Sequence, residues 1–252
     1  MKKAFEILAV TLLELVIYIL LLSGFYYLFC TLVLSSMGTS IPFSLSYLWS
    51  CVIRFTPACA IFSVMLLIFS FIKRNCSFKE MILPYCIITI LVWVVLVPAC
   101  LWYDSGTLPG FFWWISRIPE EVNSTGLFTL PGWIAFLLKR FEILHDQLVY
   151  FFQGSQLMFG IMQYASFFVS LAALGCFARF SSWRLWNAFF VIFAFGFSVV
   201  MNSFLFDFSF MSTLGLTEFM SKWLPLFVNA GIFLIYTLFG VITLISDARK
   251  DR

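Results

Sequence analysis

Two ionisable residues stand inside long apolar stretches of this 252-residue chain, Glu14 and Arg54. A charged side chain at the centre of a membrane helix costs at least about 2.5 kcal/mol, so such residues face a helix bundle or a water-filled cavity. For Glu14 the chemistry would be a proton or cation site, or a hydrogen bond to a neighbouring helix. For Arg54 it would be contact with an anion, such as a lipid phosphate arriving from the outer leaflet, or snorkelling of a long cation to the interface. Glu14 lies 11 residues beyond Lys3, about 16 Å along a helix, and so near mid-bilayer. Arg54 lies 19 residues before Lys73, about 28 Å away, and so near the outer interface. That difference in depth gives the two residues separate roles.

Other reactive residue types are sparse. The single histidine, His145, sits beside Asp146 and has no second histidine to form a metal set; it reads as an interfacial histidine. The seven cysteines, Cys30, Cys51, Cys59, Cys76, Cys86, Cys100 and Cys176, contain no CxxC pair and read as small buried residues. No GxSxG, HExxH or P-loop sequence is present, so no catalytic residue, metal or cofactor is expected and ATP hydrolysis by the chain itself is excluded. The net charge of +3 is mild and gives no support for nucleic-acid binding.

The elements that position these residues are legible from composition. Hydrophobic residues make up 63% and charged residues 11% of the chain, far from the balance of a soluble domain. Apolar runs long enough for a hydrocarbon core of about 30 Å occur six times: Phe5 to Val33, Tyr47 to Ile72, Met81 to Trp102, Gln153 to Phe177, Leu185 to Phe206 and Leu224 to Ile245. The first run is too long for a signal-peptide core and is retained as a span, with Ser23-Gly24 a candidate bend. The expected fold class is all-α, a polytopic membrane protein with six transmembrane helices and a short outer segment of interfacial helices.

Basic residues orient it. Lys2, Lys3, Lys73, Arg74, Lys79, Arg179, Arg184, Arg249, Lys250 and Arg252 fall on one side, against Arg54, Arg117, Lys139, Arg140 and Lys222 on the other. The excess of basic residues in short cytoplasmic flanks puts both termini in the cytoplasm. The chain then divides into a first block of three helices over residues 1–102, an outer aromatic and amphipathic segment over 103–152, and a second block of three helices over 153–252.

The outer segment is too short to fold alone without disulfides or metal. Pro109-Gly110-Phe111-Phe112-Trp113-Trp114 suits the headgroup region, and Asn123-Ser124-Thr125 matches a glycosylation acceptor. From Pro131-Gly132-Trp133 to Tyr150, Trp133, Phe136, Leu137, Phe141, Leu144 and Leu148 recur at helical spacing, with Lys139, Arg140, Glu142, Asp146 and Gln147 expected on the opposite side. This predicts a helix lying on the outer membrane surface or capping the bundle.

Two blocks of sequence carry a family resemblance. Arg54-Phe55-Thr56-Pro57-Ala58 through Arg74, then Met81-Ile82-Leu83-Pro84-Tyr85 and a third span ending in Tyr103-Asp104, resemble spans two and three of the LptF/LptG permeases. Phe180-Ser181-Ser182-Trp183-Arg184 leads into span five, and Lys222-Trp223-Leu224-Pro225-Leu226-Phe227 opens span six much as the family's Trp-Leu-Pro motif does. The resemblance implies the membrane half of an ABC exporter that takes lipopolysaccharide from the outer leaflet, with two such subunits around a lipid cavity and separate ATPases in the cytoplasm. It also implies a reduced form: the outer insertion is too short for the family's jellyroll, and the inner loop from Lys73 to Glu80 has no room for its coupling helix. Asn229 stands one turn beyond the position where the family places an Asn, and Glu14 replaces its basic residues in span one.

The leading expectation is therefore a non-enzymatic, permease-like subunit that moves or positions an amphipathic lipid of lipopolysaccharide or glycolipid type, driven by a separate ATPase. Arg54 would meet the head group, Phe-rich faces would line an acyl cavity, and a second membrane subunit, the same or related, would complete it. The alternatives are a non-transporting scaffold subunit of a larger complex, and a secondary transporter or channel that uses Glu14.

Overall fold

The computed structural model of the chain describes residues 2–36, 45–104 and 132–250, so the Pro109 to Trp114 aromatic cluster and Asn123-Ser124-Thr125 lie outside the described residues. All regular structure among the described residues is helical. Six helices are long and apolar enough to cross a bilayer: Lys2–Leu28, Leu45–Arg74, Lys79–Tyr103, Leu157–Arg179, Arg184–Leu205 and Glu218–Ser246. The chain is an all-α polytopic membrane protein. The fourth span starts at Leu157 rather than at Gln153, because the connecting helix, Gly132–Gln153, runs to Gln153 and the chain turns at Gly154. Ser23-Gly24 lies within one continuous helix, Lys2–Ser36.

The spans distribute polarity inversely to a soluble bundle. Leu13, Leu21, Ile192 and Leu238 are exposed on the outside, while Ser63, Ser170, Ser198, Asn202 and Asn229 are fully buried. Lipid tails are as apolar as leucine, so helices gain little by burying leucine against each other; small residues and interhelical hydrogen bonds join them instead.

The second block shows this most clearly. The Asn202 and Asn229 amides exchange hydrogen bonds of 3.0 and 2.7 Å, joining spans five and six, and Asn229 also donates to the Ser166 hydroxyl of span four at 3.2 Å. Asn202 donates to the Ser198 carbonyl, and Tyr236 on span six donates to the Ala194 carbonyl while sharing a bond with the Ser198 hydroxyl. Three helices are thereby fixed in one register.

The third span is interrupted by a π-helical stretch, Ile90–Leu96, whose i to i+5 pattern is set by the Val97 N–H donating to the Val92 carbonyl. In that pattern the Trp93 carbonyl should accept from residue 98, but Pro98 has no N–H. Tyr164 of the fourth span supplies the missing donor, its hydroxyl 2.6 Å from the Trp93 carbonyl oxygen. Tyr164→Phe is expected to orphan that buried carbonyl and lower unfolding stability in detergent by about 1 kcal/mol. An unchanged unfolding midpoint would show that the carbonyl finds water or another donor.

The turn between spans two and three is short and fully specified. Asn75 takes a left-handed conformation, φ 50°, its N–H donating to the Ile72 carbonyl while Cys76 N–H returns to the Phe71 carbonyl. Glu80 then reaches back to the Ser77 N–H at 2.9 Å and starts the third span. Burial pushes the Cys76 thiol above its ordinary value, with Glu80 adding to the effect and Arg74, Lys3 and Arg179 opposing it. Those cations, drawn from spans one, two and four, mark the basic end of the bundle.

Candidate functional site

The connecting helix, Gly132–Gln153, packs against spans three, four and five at the end of the bundle opposite the basic flanks. Leu144, Leu148, Phe151 and Phe152 are its buried anchors, and Phe141 packs against the same core. Gly160 permits close approach to the fourth span: a Cβ there would stand 2.6 Å from the Phe151 Cβ and 3.0 Å from its carbonyl carbon. The Arg140 guanidinium lies 3.6 Å over the Phe204 ring of span five, and the Gln153 amide donates to the Leu101 and Asp104 carbonyls at the end of span three. Those contacts cap the bundle. One sequence expectation changes here. Glu142, placed by spacing on the side opposite Leu144 and Leu148, is buried, while Trp133 and Phe136 are exposed at the start of the helix.

Glu142 turns inward because it has a partner. Arg54 on span two donates through Nη1 to Asp104 Oδ2 at 2.6 Å, and its Nη2 lies 3.3 Å from Asp146 Oδ1 and 3.6 Å from Glu142 Oε1. His145 Nε2 is 3.6 Å from Asp104 Oδ2, and its Nδ1 is 3.3 Å from Asp146 Oδ1. The Arg54, Asp104 and Glu142 side chains are 9%, 7% and 11% exposed, whereas Asp146 is 55% exposed. Among the described residues one guanidinium thus faces three carboxylates, and His145 adds a second positive charge only when protonated. An incoming phosphate would meet a guanidinium already engaged by acids.

Below this cluster lies a cavity of about 420 Å³, within the range of small-molecule pockets. Arg54, Glu142 and His145 form its polar end, and the remaining walls are almost wholly apolar, with Phe62, Trp93 and Phe167 among them. Its lining on span two recurs at Arg54, Ala58, Ile61, Met65 and Phe69, one stripe of a helix roughly 22 Å long, so the space is long and narrow. Two lining residues on spans two and five, Phe62 and Ile192, are 53% and 56% exposed, which places an opening on the lipid-facing side between those helices.

Of the residues singled out by sequence, only Arg54 and His145 come together here. Glu14 is half-buried along span one and is not a partner of Arg54. Trp223 lies partly exposed against Phe219, Leu224 packs against the core, and Pro225 is buried; none lines the cavity. Pro225 lacks an N–H and opens the preceding turn, where the Gln163 amide donates to the Lys222 carbonyl at 2.6 Å. Pro225 thus stands inside the continuous helix Glu218–Lys250, with spans four and six joined one turn before it by the Gln163–Lys222 bond. The acids that complete the cluster were missed, although Glu142, His145 and Asp146, at i, i+3 and i+4, share one helix face. Among the described residues no group of three or more His, Cys, Asp or Glu is arranged to hold a metal. Comparison with family models, with curated proteins and with solved structures finds no match for this chain.

Proposed function

We propose that the chain is a non-catalytic, permease-like membrane subunit that holds an amphipathic lipid, with an acyl chain in the long cavity and a polar head at the Arg54 cluster. The observation that carries this is the juxtaposition of a narrow apolar space, open towards lipid, with a buried set of charges at one end. The carboxylates of the cluster favour a head rich in hydroxyl donors, as in a glycolipid, over a bare phosphate, because carboxylates accept hydrogen bonds and repel anions. The excess of basic residues at one end supports both termini in the cytoplasm, with the Arg54 cluster towards the outer leaflet of a bacterial inner membrane. Movement of the lipid would be driven by a separate ATPase, with a second membrane subunit beside this one.

Ala58 lines the cavity on span two, and Ala58→Trp would fill the passage beside it. Native mass spectrometry of the wild type is expected to show a bound glycolipid that the variant loses while keeping its helicity and elution volume. Equal lipid retention by both proteins, or none by either, would overturn the proposal.

One observation favours a scaffold subunit instead. Residues 75–77 alone separate the helices of spans two and three, which leaves no helix there for an ATPase to dock on. Co-purification of only other membrane subunits, with no ATPase, is the outcome that reading requires.

A further inference from the structure

Span one is held loosely by the bundle: 22% of its apolar stretch is buried inside the protein, against 67% for span two. Along its lipid-facing side Val10, Glu14, Ile17, Leu21, Gly24 and Leu28 recur at alternating steps of four and three, and every one of them is exposed or half-exposed. That is the 3.5-residue repeat by which one helix packs lengthwise along another. The rest of the protein leaves this seam uncovered.

Glu14 interrupts the seam next to Leu15, the midpoint of the span Lys2–Leu28. Among the described residues no hydrogen bond or ion pair reaches its carboxyl. On a soluble protein water would satisfy it, but the middle of a bilayer holds no water, and a polar group facing lipid there is costly until another helix brings it a partner. Span six supplies the contrast. It too is only 22% buried, yet from Phe227 to Ile245 it carries no charged residue, so lipid alone can cover it.

We infer that this seam binds a second copy of the chain, span one against span one, with the two Glu14 carboxyls hydrogen-bonded to each other across a twofold axis. A second copy inserts with the same orientation, so in a symmetric pair its Glu14 arrives at the same depth, whereas an unrelated helix must happen to carry a partner there. A protonated carboxyl both donates and accepts, so a facing pair satisfies itself through a shared proton. The apolar seam positions then close on their twins. At Gly24 nothing stands within 4 Å of a Cβ position, which lets the partner's backbone approach closely. One polar residue in an otherwise apolar seam also fixes the register and the number of helices that pair. The pairing gives an identity to the second membrane subunit, and it does not rest on the lipid reading, because no seam residue lines the Arg54 cavity.

The test uses the full chain, purified in two batches with donor and acceptor dyes at the C-terminus, mixed in lipid vesicles at rising lipid-to-protein ratios and read by energy transfer. The wild type is expected to associate. Glu14→Leu should weaken association about tenfold, the factor corresponding to about 1.4 kcal/mol and typical of an interhelical hydrogen bond between model membrane helices. Glu14→Gln should keep most of it, because an amide also donates and accepts. Neither variant should lower the unfolding midpoint of the protomer, since Glu14 bonds to nothing within it. A second measurement needs no change at Glu14: on oxidation, Leu21→Cys in the seam should cross-link two copies above the wild-type background, while Val16→Cys, 53% exposed but outside the seam, should not. A wild type that stays monomeric, unchanged association in Glu14→Leu, or equal cross-linking at the two positions overturns the inference. Capture of a different membrane subunit in place of a second copy, lost in Glu14→Leu, overturns it as well and assigns the seam to that subunit.

Discussion

Replacing Arg54 by alanine is expected to destabilise the protein by about 3–5 kcal/mol, because it strands two buried carboxylates without their cation. Asp104 and Glu142 are 7% and 11% exposed, and both lie within 3.6 Å of the guanidinium. Asp146 shares the same partner but is 55% exposed, so Asp146→Asn should cost less than about 1 kcal/mol. The contrast between the two variants is the useful measurement. Unfolding in detergent should show a large drop for Arg54→Ala and a small one for Asp146→Asn, and equal midpoints would mean that water reaches the whole cluster. Arg54→Lys should fall between, since an ammonium keeps the charge but loses the fork that reaches Asp104 and Glu142 from separate nitrogens. Loss of the cluster also removes the polar end of the cavity, so bound lipid should be lost together with stability.

Gly160→Leu should cost about 3 kcal/mol, near the upper end for overpacking a close contact. The Cβ would enter at 2.6 Å from the Phe151 Cβ and 3.0 and 3.1 Å from the Phe151 carbonyl carbon and oxygen. Backbone atoms cannot rotate away as a flexible side chain can, so the helix Gly132–Gln153 must shift as a body. That helix carries Glu142, His145 and Asp146, and the displacement should loosen the ion cluster as well as the packing. Gly231, with nothing within 4 Å of its Cβ position, is the matched control. Gly231→Leu should be close to neutral in the same detergent unfolding experiment, and a loss equal to that of Gly160→Leu would attribute the effect to glycine replacement in general.

Length and composition determined the spans before any tertiary information. A bilayer demands about 20 apolar residues per crossing, and the chain contains six such runs bounded by charge or turns, each found as a helix. The helix from Gly132 was also legible, from apolar residues at three- and four-residue spacing. Arg54 was legible as a site because a charge near a membrane span must be satisfied somewhere.

Which residues satisfy it was not legible. Asp104 and Asp146 lie 50 and 92 residues away along the chain; the packing of spans two and three brings the first to the guanidinium, and the docking of the helix Gly132–Gln153 across spans three, four and five brings the second. Periodicity put Glu142 on the side away from Leu144 and Leu148, and the contact with Arg54 buries it instead. Within the spans, pattern could not separate inside from outside: lipid is as apolar as leucine, so Leu21 faces outward while Asn202 and Asn229 pair within. Apolar content was thus enough to determine that the chain crosses a membrane and how often. The apolar cavity below the Arg54 cluster arises where spans two, three, four and five and the helix Gly132–Gln153, distant in sequence, converge, and only the tertiary structure decides that convergence.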